Sequence, residues 1–210
     1  MTQRLVIRLI PLEVLLFAAL AGWLAMSGMR YIVNTLPAFE QSEAQTISPV
    51  FTPEVQHWSR KIAAWSAAYQ LDPNLVATVM QIESCGMPSA VSSAGAQGLF
   101  QVMPFHFTPE ENMQDPDTNA NRGLAYLALG LARAGGNVGL ALAGYNGGHS
   151  LIGRDYSLWP AETQRYRYWG TGIYQDAASG QAASPRLQEW LEAGGAGLCA
   201  RAAQELGLAQ

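Results

Sequence analysis

The chain has 210 residues, a formal net charge of −4 and a charged fraction of 13%. That length buries one good core with a remainder left for anchor, linker or tail. The acidic balance disfavours a nucleic-acid footprint, and the apolar content excludes a disordered polyelectrolyte.

In chain order, Arg4 and Arg8 precede an apolar run from Val14 to Met26 that continues to Arg30. A basic flank before an apolar core is an export pattern, and Leu9 to Met29 matches the roughly 20 residues needed to span a bilayer. Glu13 inside it is costly unless it lies near the headgroups. No convincing small-x-small cleavage site follows, which favours an uncleaved anchor over a signal peptide for residues 1–33 and leaves the rest of the chain outside the membrane. Residues 34–53 carry three prolines and scattered polar residues with no sustained period, and read as a linker.

Val55, Trp58, Ile62, Trp65 and Tyr69 then repeat at helix spacing. Asp72-Pro73 supplies an N-cap and a first-position proline for a helix whose one face carries Leu75, Val76, Val79, Met80 and Glu83. Between Asp72 and Glu110 no Asp, Glu, Lys or Arg other than Glu83 occurs. A carboxyl group placed alone on a core-facing stripe is desolvated, which raises its pKa and suits it to act as a general acid. Downstream lie a Gly- and Ser-rich stretch, a helix marked by Leu124, Leu127 and Leu131, and another through Val138, Leu142 and Tyr145 that Gly147-Gly148 stops. Ser184-Pro185 opens a last helical region through Trp190, interrupted at Gly194-Gly195 before Leu198 to Leu206. No run alternates like a half-buried strand, so the expected class is all-α.

Three segments carry a family resemblance. Glu83-Ser84 is followed by Ala90-Val91-Ser92 and by Gly98-Leu99-Phe100-Gln101-Val102-Met103-Pro104. Ala143-Gly144-Tyr145-Asn146-Gly147-Gly148 and Trp159-Pro160-Ala161-Glu162-Thr163-Gln164-Arg165-Tyr166 come next. Together these resemble the soluble-type (SLT) lytic transglycosylases, relatives of goose-type lysozyme, over the stretch from Phe51 to Ala178. Cys85-Gly86, Gly144 and the aromatic Phe105-His106-Phe107 depart from the usual pattern without removing a group the chemistry needs.

The resemblance implies a lysozyme-like domain over 54–178; residues 179–210, outside the family motifs, read as a C-terminal helical tail. It also implies an exported enzyme that cleaves the glycan strands of peptidoglycan without water, leaving 1,6-anhydromuramyl ends and needing no cofactor. Glu83 would be the catalytic acid and then base. Ser84, Gln101, Met103, Tyr145, Asn146, Glu162 and Tyr166 would bind or position the sugar. Glu162 reads equally as a helix N-terminal carboxylate and Tyr145 as a core residue. Cys85 and Cys199 are a candidate disulfide, with two buried thiols as the alternative. His57, His106 and His149 lack metal-ligand spacing and are taken as surface or cleft residues. A hydrolytic muramidase and a non-catalytic wall-binding module are the rival readings.

Overall fold

The structure is a computed structural model that describes residues 47–208. The anchor or signal segment and the linker up to residue 46 lie outside the described residues. Among the described residues no helix is long and apolar enough to cross a membrane.

The described part is mainly helical: α1 (Pro53–Gln56), α2 (Ser59–Tyr69), α3 (Pro73–Glu83), α4 (Pro116–Arg133), α5 (Val138–Gly147), α6 (Ala161–Ala178), α7 (Pro185–Trp190) and α8 (Ala196–Glu205). Helix α3 is the central element, with every residue from Leu75 to Gln81 buried. Its start is fixed by the Asp72 carboxylate, which accepts the Asn74 N–H at 2.8 Å, and by Pro73. It packs against α2 and α6, while α5 bridges α4 and α6. Truncating Leu75, 1% exposed, to Ala would cost about 2–5 kcal/mol.

Two expectations are corrected. Residues 47–53, read as the end of the linker, are part of the compact body: Ile47 and Phe51 are buried, and the Ser48 N–H donates to Asn74 Oδ1 at 2.7 Å. The apolar period from Val55 to Tyr69 is not one helix. It breaks at Trp58 (φ −91°, ψ 1°), and the indole N–H donates to the Gly86 carbonyl at 2.9 Å. Gly86 has φ +81°, and a Cβ there would sit 3.0 Å from the Trp58 ring.

From Cys85 to Met103 the chain forms a loop folded on itself, with isolated bridges joining Val91 to Gln97 and Gln97 to Val102. At the other end, Gly194 (φ +127°) turns the chain between α7 and α8. Leu187, Trp190, Cys199 and Ala202 thereby join the main core. Cys85 and Cys199 are joined by a disulfide with Cα atoms 5.0 Å apart, across 114 residues of sequence.

Candidate active site

Glu83 is the last residue of α3, and the backbone leaves helical geometry at Ser84 (φ −140°, ψ −9°). The apolar face that buries Val76, Val79 and Met80 carries the carboxyl group to the edge of the core. There the Tyr166 hydroxyl, from α6, donates to Glu83 Oε1 at 2.7 Å. Desolvation dominates and pushes the carboxyl up to about 8; the Tyr166 bond opposes the rise, and the negative charge of Glu162 adds to it. The phenols of Tyr145 and Tyr166 are pushed well above their ordinary range by burial and by the Glu83 charge. The phenols therefore keep their protons, and the carboxyl is the group of the three that gains and loses a proton near neutral pH, with Tyr166 as its hydrogen-bond donor.

Beside it stands the Gly98–Gln101 turn, held from three helices. Ser84 Oγ, at the end of α3, donates to the Leu99 carbonyl at 2.7 Å. Asn119 of α4 accepts the Phe100 N–H at 2.8 Å and donates to the Gln97 and Met113 carbonyls, both at 2.8 Å. Tyr145 of α5 donates its hydroxyl to the Phe100 carbonyl at 2.7 Å. Gly98 is required by this closeness: its φ is +73°, and a Cβ would lie 2.5 Å from Asn119 Nδ2. Gln101 itself is left-handed (φ 46°), and its amide nitrogen donates to the Ala90 and Gly98 carbonyls at 3.1 and 2.9 Å. Its Oε1 is left as an acceptor.

The turn forms one wall of a cavity of about 180 Å³ that also takes in Met103, Tyr126, Tyr145 and Asn146. Asn146 Oδ1 accepts the Thr163 hydroxyl at 2.8 Å, which leaves its amide nitrogen as a donor. An acceptor from Gln101 and a donor from Asn146 form a pair suited to an acetamido group. Glu83 does not line this cavity. Tyr145, whose phenol feels the Glu83 charge, connects the two places.

The structure thus brings Gln101, Met103, Tyr145 and Asn146 together and sets Tyr166 on Glu83. Glu162 is exposed in the first turn of α6, close enough for its charge to act on Glu83. Ser84 is a correction: its side chain is fully buried and spent on the Leu99 carbonyl and the Gly86 N–H, so it cannot meet a ligand. Asn119 is a residue that sequence reasoning missed. Its signal was a polar residue on the apolar stripe of α4, four before Gly123 and eight before Leu127. His106 lines the cavity, and His149 stacks on Tyr126 with ring centroids 3.9 Å apart.

Residues 60–165 match the family described as the transglycosylase SLT domain. The chain belongs to that family. It is 41% identical over 111 residues to a transglycosylase of Enterobacteria phage PRD1, covering 52% of this chain and 40% of the phage protein. It is 25% identical over 119 residues to membrane-bound lytic murein transglycosylase E of Buchnera aphidicola, with 50% of this chain and 53% of the relative covered. With the endo-type membrane-bound lytic murein transglycosylase A of Klebsiella pneumoniae it shares 30% identity over 100 residues, 39% of this chain and 49% of the relative. The chain spans about half the length, or less, of these relatives.

Proposed function

We propose that the chain is a lytic transglycosylase of peptidoglycan, with a lysozyme-like domain and Glu83 as the group that moves the proton. The observation that carries this reading is a carboxyl pushed up to about 8, hydrogen-bonded by Tyr166 and linked through Tyr145 to a cavity into which Gln101 and Asn146 bring an acceptor and a donor. Such a group holds its proton at neutral pH and can deliver it to a glycosidic oxygen.

Glu83 protonates the oxygen between N-acetylmuramic acid and N-acetylglucosamine. The C1–O bond breaks, and the electron-poor C1 is stabilised by the substrate's own N-acetyl group. The glutamate, now a carboxylate, takes the proton of the C6 hydroxyl while O6 bonds to C1. The muramyl end closes as a 1,6-anhydro ring, the leaving sugar keeps the first proton, and Glu83 is again protonated. Gln101 and Asn146 hold an acetamido group, Tyr145 and Met103 shape the wall, and Tyr166 orients the carboxyl. The site of action is the cell envelope, reached through the N-terminal segment as anchor or signal. A disulfide between Cys85 and Cys199 suits an oxidising compartment.

One observation favours the hydrolytic reading. The charge of Glu162 reaches Glu83, so a second carboxylate is available to position a water. Mass spectrometry of fragments released from purified peptidoglycan by the full chain, with Glu83→Gln alongside, decides between them. Anhydromuropeptides from the native protein alone support the transglycosylase. Reducing ends mean a muramidase, and full release by Glu83→Gln would sink the catalytic assignment.

A further inference from the structure

Phe105 is the most exposed large apolar side chain among the described residues, at 75%. It also lines the cavity beside the Gly98–Gln101 turn. An aromatic ring held in water at the mouth of a cavity gives little packing stability, so its position asks for a ligand.

The ring is held from behind. Pro104–His106 forms a short 3₁₀ turn in which the His106 N–H donates to the Met103 carbonyl and the Phe107 N–H to the Pro104 carbonyl, both at 3.0 Å. This fixes the backbone that carries Phe105. The His106 ring lies 4.5 Å from the Phe105 ring and 5.0 Å from that of Tyr126. Tyr126 is backed in turn by His149, nearly parallel at 10°. Arg133 has only donors, so His149 Nδ1 accepts from it at 3.2 Å and that ring stays neutral. The row Phe105, His106, Tyr126, His149 is a braced aromatic wall, and its outer end is free.

Pyranose rings present a face of C–H bonds that lies well on an aromatic ring, while their hydroxyl and acetamido groups seek donors and acceptors such as those of Asn146 and Gln101. Because Phe105 lines the cavity and Glu83 does not, the two mark separate places, and a ligand that touches both reaches further than one that touches either alone. We propose that Phe105, braced by His106 and Tyr126, is a platform for one pyranose ring of the glycan strand, and that it makes this chain select longer strands over short ones. The inference rests on the glycan reading of the site and adds a specificity-determining residue to it.

The test is calorimetric binding of a short and a long oligomer of N-acetylglucosamine to the full chain carrying Glu83→Gln, so that neither is cut. Adding Phe105→Ala should weaken the long oligomer roughly tenfold and leave the short one unchanged. Phe105→Trp should restore the long oligomer, and Leu129→Ala, which removes an exposed apolar side chain of α4 outside the cavity, should change neither. Unchanged affinity of Phe105→Ala for the long oligomer, or equal weakening of both lengths, overturns the platform. If the parent binds neither length, the glycan reading fails with it, and the parent's own isotherm tells that failure apart.

Discussion

The region matched by the family and the segments on either side of it do different work around one helix. Glu83, Gln101, Met103, Tyr145, Asn146 and Glu162 all fall within residues 60–165, and Tyr166 follows directly. Much of what restrains the end of α3 comes from outside that range. The Thr52 N–H and hydroxyl donate to Gln81 Oε1, both at 3.2 Å; Trp58 bonds the Gly86 carbonyl; Cys199 is bridged to Cys85. The candidate site groups lie in the matched region or next to it, while much of the frame around the end of α3 is supplied by the flanks.

The sharpest way to separate the two is Glu83→Gln. It should lower glycan-cleaving activity by about 10²–10⁴-fold while stabilising the fold above the ordinary carboxylate range. A carboxyl raised from 4.5 to about 8 binds protons more tightly in the folded state, so native stability falls as pH rises through that window. Removing the ionisable group should therefore raise the melting temperature at pH 8 and not at pH 4, with a gain of about 1–3 kcal/mol at the higher pH. An equal shift at both values would contradict a desolvated carboxyl.

Removing the flanking clamp comes next. Cys85→Ser with Cys199→Ser should cost about 2–4 kcal/mol in denaturant unfolding, with activity retained at temperatures where the variant stays folded. A kcat that collapses in the fully folded variant would move the bridge from frame to machinery. Within the matched region, Asn119→Ala leaves the Phe100 N–H without its acceptor and takes a donor from the Gln97 and Met113 carbonyls, of which Gln97 keeps the Val102 N–H, and should cost about 1–3 kcal/mol. Oligosaccharide affinity should fall with it because Gln101 loses its seat. The smallest effect is Tyr166→Phe. The Tyr166 bond holds the Glu83 pKa down, so its loss should move the alkaline limb of the pH–rate profile upward, and a downward shift would refute that role.

Local signals made the helices readable in advance. Asp72-Pro73 is a cap, and the Leu124–Leu131 stripe has only one periodic explanation. Glu83 could be picked out because it was the lone charge on an apolar face. The errors came where a side chain's partner lies far away in sequence. Residues 47–53 look like linker because prolines and polar residues dominate, yet Asn74 and Gln81 anchor them. Ser84 looked like part of the site because it adjoins Glu83, but one residue past a helix end turns the side chain inward to Leu99. Glu162 was expected among the sugar-binding residues, whereas the action of its charge on Glu83 depends on how α6 lies against α3, which no local pattern gives. Asn119 could have been suspected, whereas the aromatic row behind Phe105 joins residues from three separate elements.

The bridge between Cys85 and Cys199 also has a consequence in time. Its second sulfur is made 114 residues after its first, so the end of α3 stays unclamped through most of the chain's synthesis. Chain growth, contact with an oxidant and docking of α8 must all precede closure. A chain stopped short of Cys199 would hold every group of the cavity and never acquire the lock that fixes the helix end beside Glu83.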